Sequence, residues 1–156
     1  MQETIRELNL PPVELKRKRQ NGKEYVYDPL RRQYVRLSPE EFVRQHFVSF
    51  LIHHRQYPAG LLANEVQIKI GNVFKRCDTV LYDSCLQPVM IIEYKAPSVR
   101  INQQTFDQIV RYNGCLRVPW LIVSNGMQHF CCRMDLEKEM FSFVKSIPFY
   151  ENLEPV

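Results

Sequence analysis

The spacing of apolar and polar positions changes along the chain, from the alternation of strands to the repeat of a helix. Residues 25–37 alternate on both sides of the turn signal Asp28-Pro29, which predicts a short hairpin. Ser38 follows, with proline after it and Glu41 at capping-box spacing. The next apolar residues recur at helical intervals: Val43, Phe47, Phe50 and Leu51. We therefore expect a hairpin followed by one helix with a buried stripe.

Alternation returns after this helix and predicts strands separated by turns. The segments with strand character are residues 65–70, 73–82, 89–95, 120–124 and 128–134, with a candidate edge strand at 141–144. A helical segment at about 102–116 separates the third of these strands from the fourth. The third strand is the most apolar, which favours a central position. This order is typical of an α/β domain, with a mixed central β-sheet flanked by α-helices.

Length and composition indicate a single globular domain. The chain has 156 residues, of which 45% are hydrophobic and 24% charged, enough to bury one core. We expect a flexible basic arm over residues 1–24, one domain over 25–150 and a tail over 151–156. The sequence has no run of 18 apolar residues and no signal-peptide pattern. We therefore expect a cytoplasmic protein with no membrane partner.

The net charge of +4 is mildly basic, and its distribution is more informative than its size. A basic run lies near the start of the chain: Lys16, Arg17, Lys18 and Arg19. Such a run can bind phosphates through charge and counterion release, which makes it a candidate nucleic-acid contact. A solvated surface segment explains the same run equally well.

Three ionisable residues in or at the end of predicted strands are candidates for a site. Asp78 lies in the second predicted strand, and Glu93 and Lys95 share one face at the end of the third. An antiparallel hairpin would bring the two carboxylates together, where they repel unless a cation lies between them. Carboxylate oxygens suit Mg²⁺ or Mn²⁺, and such an ion with a nearby ammonium suits phosphodiester hydrolysis. Taken singly, each residue is more simply explained as a surface pair or a turn aspartate.

Gln108 and Tyr112 share one face of the next predicted helix, four positions apart. Together with Asp78 and the segment Glu93-Tyr94-Lys95, they resemble the PD-(D/E)xK nuclease superfamily in its version with a trailing Gln-x-x-x-Tyr motif. More narrowly, from about residue 27 to residue 150 the chain is similar to the N-terminal nuclease domain of type I restriction enzyme R subunits and their stand-alone relatives.

This resemblance implies a restriction-endonuclease-like fold and hydrolysis of DNA with Mg²⁺ or Mn²⁺. The implied roles are metal binding for Asp78 and Glu93, water positioning or charge stabilisation for Lys95, a reach into the active site for Gln108, and helix orientation or nucleic-acid contact for Tyr112. The family often places an acidic residue of the first helix near the metal. Here Glu40 is favoured, since it lies on the apolar stripe, and Glu41 is the alternative.

The sequence departs from the family pattern at two points. Cysteine precedes Asp78 where the superfamily name has proline, and the chain lacks the phosphate-binding loop of the R-subunit motor, so it is not expected to translocate DNA by itself. The expected partners are DNA together with restriction-modification subunits, motor subunits or a second copy of the chain. Two alternatives stay open: a non-catalytic nucleic-acid-binding or assembly module with the same fold, and an unrelated enzyme for another phosphate ester.

Overall fold

The computed structural model describes residues 7–114 and 116–153 of the protein. Its helices and strands, in chain order, are β1 (Arg17–Gln20), β2 (Lys23–Asp28), β3 (Gln33–Arg36), α1 (Pro39–His54), β4 (Leu62–Ile70), β5 (Val73–Tyr82), β6 (Pro88–Tyr94), α2 (Gln103–Gly114), β7 (Trp120–Ser124), β8 (His129–Asp135) and β9 (Met140–Val144). Short 3₁₀ turns occupy Ala59–Leu61 and Tyr150–Asn152.

The larger sheet has six strands in the order β4-β5-β6-β7-β8-β9. Only β6 and β7 run parallel within it, and α2 makes the crossover that a parallel pair requires. The neighbouring pairs on either side are antiparallel. The predicted α/β class, a mixed sheet flanked by helices as in restriction endonucleases, is confirmed.

Each α-helix begins at a side-chain cap and covers one face of this sheet. Ser38 Oγ accepts a hydrogen bond from Glu41 N (3.0 Å) at the start of α1, as the sequence predicted. Asn102 Oδ1 accepts from Thr105 N (2.8 Å) at the start of α2. No helix among the described residues is long and apolar enough to cross a membrane.

The two faces of the sheet bury separate hydrophobic clusters. The α1 cluster packs helix residues such as Phe47 and Leu51 against Met90 and Ile92 of β6. The α2 cluster packs residues of that helix against the other face of the same strand: Phe106, Val110, Ile91, Leu121 and Val123. Strand β6 is buried on both sides, so the prediction of a central, apolar third strand is confirmed.

A second, three-stranded sheet precedes α1 and corrects one prediction. Residues 17–20, expected to belong to a flexible arm, form β1 and pair antiparallel with β2. Gln20 and Lys23 flank the turn Asn21-Gly22, in which both residues have positive φ (51° and 72°), the conformation favoured in tight hairpins. Residues 1–6 of the expected arm and 154–156 of the expected tail lie outside the described residues.

Asp28 connects this small sheet to the larger one. Its carboxylate is buried and accepts hydrogen bonds from Leu30 N (2.8 Å), from Arg31 Nε and from Asn64 Nδ2 of β4 (3.0 Å). The residue that the sequence marked as a turn signal therefore also carries a polar link between the two sheets.

Candidate metal-binding site

The antiparallel pairing of β5 and β6 brings the two predicted carboxylates together. Thr79 pairs with Ile92, so the preceding residue, Asp78, comes opposite Glu93. The two carboxyl groups are in hydrogen-bonding contact, and Asp78 Oδ2 also accepts from the backbone N–H of Tyr94 (2.9 Å). The predicted juxtaposition of Asp78 with Glu93 is therefore present, on the face of the sheet that α2 covers.

This pair is electrostatically unusual because both groups are acidic and partly enclosed. Burial and, after it, the adjacent Asp78 carboxylate raise the pKa of Glu93 to about 7, against the opposing influence of Lys75. Near neutral pH the pair is therefore poised between holding a proton and holding two negative charges. A bound cation would favour the doubly ionised form, as expected for a metal-binding pair.

Lys75 is a member of this site that the sequence reasoning missed. Its Nζ lies 2.9 Å from Glu93 Oε1 and also donates a hydrogen bond to Asn113 Oδ1 at the end of α2. Lys75 is buried, so its charge acts on Glu93 with little screening by solvent. Strict alternation from Asp78 would have placed Lys75 on the opposite face of the sheet.

Lys75 faces α2 because the alternation of side chains between the two faces of the sheet reverses at one position along β4 and β5. Leu62 of β4 and Leu81 of β5 pack in the α1 cluster. Ile68 and Cys77 lie an even number of residues from Leu62 and Leu81 respectively, so unbroken alternation would place them on the same face, yet both pack in the α2 cluster. Glu65 lies opposite Asp78 at this position and has φ of 56°, in the left-handed region. A residue outside the extended conformation breaks the alternation, so the side chains beyond it point to the opposite face of the sheet. This reversal directs Lys75 toward Glu93.

Arg44 of α1 binds both strands at the position where the alternation reverses. Its Nη1 donates to the backbone oxygen of Asp78 (2.8 Å) and its Nη2 donates to Glu65 Oε1 (2.5 Å). Its Nε lies 3.3 Å from Glu41 Oε2. One buried guanidinium therefore connects the first helix to both strands beside the carboxylate pair.

The two first-helix glutamates differ in burial, and the role of either one at the metal stays a prediction. Glu40 is exposed, whereas Glu41 is buried and accepts hydrogen bonds from Arg31 (2.6 Å) and Gln45 (2.9 Å). Through Arg44, Glu41 is the one of the two that is connected to the strand of Asp78.

The remaining predicted site residues are Lys95, which follows β6, and Gln108 and Tyr112 of α2. Lys95 is half-buried, its backbone N–H donates to Ser124 O (2.8 Å), and alternation directs its side chain to the face of Glu93. Gln108 has an exposed side chain on α2. Tyr112 lies on the same helix, but its side chain is outside the described residues. The catalytic roles of these residues stay predictions.

The donor set at this site fits a small, hard divalent cation. Mg²⁺ is commonly bound by one or two carboxylates, with water and substrate phosphate in the remaining positions. Asp78 and Glu93 provide two such carboxylates, while among residues 7–114 and 116–153 no group of three or more His, Cys, Asp or Glu side chains converges. The residues present suit an open Mg²⁺ or Mn²⁺ site rather than a closed structural one.

Comparison with known proteins places this chain in a family. Residues 39–148, more than half of the chain, match the family described as type I restriction enzyme R protein N terminus (HSDR_N). No curated protein matches the chain significantly.

Among solved structures, the chain is similar to a fragment assigned as the HsdR subunit of a type I restriction enzyme from Vibrio vulnificus YJ016. The TM-score is 0.53 at 16% identity, over 75% of this chain and 24% of that one, so the likeness shows the fold and spans about a quarter of the longer protein. On the strength of the family match, the chain belongs to the type I restriction enzyme R protein N-terminus family.

Proposed function

We propose that this chain is a PD-(D/E)xK-type, metal-dependent endonuclease domain that hydrolyses DNA phosphodiester bonds within a restriction-modification system. The observation that carries the proposal is the contact between Asp78 and Glu93 on adjacent strands, with burial and mutual repulsion raising the pKa of Glu93 to about 7. Two carboxylates in contact repel each other unless a cation lies between them, and this pair therefore suits a divalent metal beside the Lys75 ammonium. Membership of the type I restriction enzyme R protein N-terminus family also supports a nuclease-related function.

The roles of the residues follow from their positions. Asp78 and Glu93 would hold Mg²⁺ or Mn²⁺, which when bound polarises a phosphoryl oxygen and acidifies a coordinated water. Lys95, which strand alternation directs to the face of Glu93, would place its ammonium near the charge that develops on the phosphate. Lys75 holds Glu93 Oε1 in a fixed direction, and Arg44 holds the backbone of Asp78.

The proposed partners follow from the family. The similar HsdR fragment is about four times as long as the shared region, and it is assigned to a type I restriction enzyme. We propose that this domain acts on DNA together with other subunits, motor domains or a second copy of itself.

A plasmid-nicking assay tests the proposal. Purified protein with Mg²⁺ or Mn²⁺ is expected to nick or cut supercoiled DNA, and Asp78→Asn, Glu93→Gln and Lys95→Met are each expected to lower the rate about 100-fold or more. Asp107→Asn and Lys69→Met are matched controls, because both side chains are exposed and outside the site. Cleavage that persists in all three site variants would rule out the assigned residues.

Calorimetric titration with Mn²⁺ separates this proposal from a non-catalytic module. Metal binding that Asp78→Asn and Glu93→Gln abolish, together with cleavage, supports the nuclease. Binding of DNA without any metal binding would instead support the module.

A further inference from the structure

The three-stranded sheet before α1 has two chemically different faces. Its inner face carries Val26 and Asp28, both buried, and Arg17, whose guanidinium lies over the ring of Phe42 (5.7 Å). Directly paired residues share a face, and the pairs Lys18–Tyr25, Gln20–Lys23, Tyr25–Arg36 and Tyr27–Tyr34 therefore define the opposite side. Lys16 extends it, since its backbone oxygen accepts from Tyr27 N (2.8 Å).

We call this side the outward face; its residues are Lys16, Lys18, Gln20, Lys23, Tyr25, Tyr27, Tyr34 and Arg36. Its cationic side chains are all exposed, and within the described strands β1 to β3 no carboxylate shares it. Glu24, the glutamate of β2, pairs with Arg19 and so belongs to the inner face. A sheet surface with this charge is complementary to a polyanion.

The tyrosines make the outward face more specific than a general basic patch. Their rings are half-buried, and those of Tyr27 and Tyr34 meet edge to face with centroids 5.4 Å apart. Lys18 Nζ lies 4.2 Å from the centroid of Tyr34 and Lys16 Nζ lies 5.2 Å from that of Tyr27. Ammonium groups therefore lie over the aromatic rings within a few ångströms, and this combination of positive charge and aromatic side chains is the one that binds single-stranded nucleic acid.

We infer that the outward face binds a single-stranded stretch of DNA, with bases stacked on the tyrosines and phosphates held by the lysines. A duplex keeps its bases stacked inside, where tyrosines on a sheet surface cannot reach their faces, whereas an unpaired strand exposes them. This inference deepens the proposed function, because it names the form of DNA that the nuclease domain holds outside its metal site.

The test is fluorescence anisotropy with a labelled oligothymidylate of about 20 nucleotides, long enough to cover such a site. The full chain is used in the presence of a chelator, so that cleavage plays no part. Tyr34→Leu, which keeps apolar volume but removes the ring, is expected to weaken binding about tenfold. The pair Lys16→Gln with Lys18→Gln is expected to reduce the slope of log affinity against log salt by about 1.4.

Two comparisons make the result decisive. Lys138→Gln with Lys145→Gln removes the same charge from exposed positions near β9 and is expected to leave the affinity and the salt slope unchanged. A duplex of the same length is expected to bind more weakly than the single strand and to be insensitive to Tyr34→Leu.

The inference is overturned if the single strand does not bind, if the duplex binds as tightly, or if both lysine pairs act alike. Should Tyr34→Leu not fold, Tyr25→Leu and the exposed lysine pair carry the same test. The plasmid assay reports on Asp78 and Glu93 in the presence of metal, whereas the anisotropy assay reports on the outward face without metal. Absence of cleavage therefore counts against the proposed function, and absence of single-strand binding counts against this inference.

Discussion

Lys75 Nζ lies 2.9 Å from Glu93 Oε1, so the ammonium of β5 is paired with one of the two carboxylates of the candidate site. Without this ion pair, burial and Asp78 would act on Glu93 unopposed. The contact also joins β5 and β6 to α2, since Lys75 donates to Asn113 as well. It favours the ionised form of Glu93, against burial and the Asp78 carboxylate, which favour the protonated form.

Removing this lysine should therefore shift the pH dependence of the site. In Lys75→Met, the pKa of Glu93 is expected to rise above its present value of about 7, because a lysine that favours the carboxylate is gone. The acidic limb of the cleavage profile should move to higher pH, with a loss of about tenfold or more at pH 7 that higher pH recovers. A ¹³C NMR titration of the Glu93 carboxyl measures the same shift directly, and Lys69→Met serves as the control.

Arg44 should be important for stability as well as for position. Arg44→Met leaves Glu41 and Glu65 without this buried partner and is expected to lower the free energy of unfolding by about 3–5 kcal/mol. Arg76 pairs with the same Glu65 (2.7 Å) but its side chain is 77% exposed, so Arg76→Met should cost at most about 1 kcal/mol. Urea unfolding of both variants measures the difference, and equal losses would contradict the role given to Arg44.

The turn after β7 requires glycine. Gly126 has φ of 83°, and a Cβ there would lie 2.8 Å from Leu8 Cδ2 and 3.2 Å from Val43 Cγ2. Gly126→Ala is therefore expected to destabilise the protein by about 1–3 kcal/mol. Gly60→Ala is the matched control, because its Cβ would meet nothing within 4 Å, and it should be neutral or slightly stabilising. Similar melting temperatures for both variants would contradict this account.

Asp28 should contribute stability that disappears in acid. Burial by itself would raise its pKa, but hydrogen bonds from Asn64, Arg31 and the Leu30 backbone outweigh burial and leave the pKa lowered from 3.8. A lowered pKa in the folded state means that the contribution is complete above about pH 4 and is lost as the pH falls through the folded value. Asp28→Asn should thus be less stable by about 2 kcal/mol at pH 7, with a gap that narrows below pH 4.

Urea unfolding between pH 2 and pH 7 measures this gap. Asp107→Asn, in which the carboxylate is exposed, is the control and should follow the native protein across the whole range. A gap for Asp28→Asn that stays constant into strong acid would show that the carboxylate charge does not contribute.

Features that depend on neighbouring residues were predictable from the sequence. The Ser38 cap, the hairpin around Asp28 and the pairing that opposes Asp78 to Glu93 follow from short-range spacing and strand alternation. The strand β1 was missed because residues 17–20 carry no apolar alternation. The dipeptide Asn21-Gly22 was a signal that could have identified it, since this pair favours the tight turn that the structure shows.

The burial of Glu40 and Glu41 could not be predicted from the helical pattern. The helical stripe favoured Glu40, because a periodic pattern treats every position on the same face as equally buried. In the structure Glu41 is the buried one, since Arg31 from the preceding turn, Gln45 on the next helical turn and Arg44 surround its carboxylate. Burial of a charged group depends on partners from other elements, which no local pattern contains.

The sequence by itself determined the α/β order, the Ser38 cap, the hairpin at Asp28 and the two carboxylates on neighbouring strands, because each of these arises from contacts short in sequence. Only the tertiary structure decided that Lys75 joins the site and that Arg44 supports it. The physical reason is the reversal at Glu65: one residue in a left-handed conformation, held by Arg44, changes which side chains of β4 and β5 face α2. An alternating pattern assumes unbroken extended backbone and cannot anticipate that change.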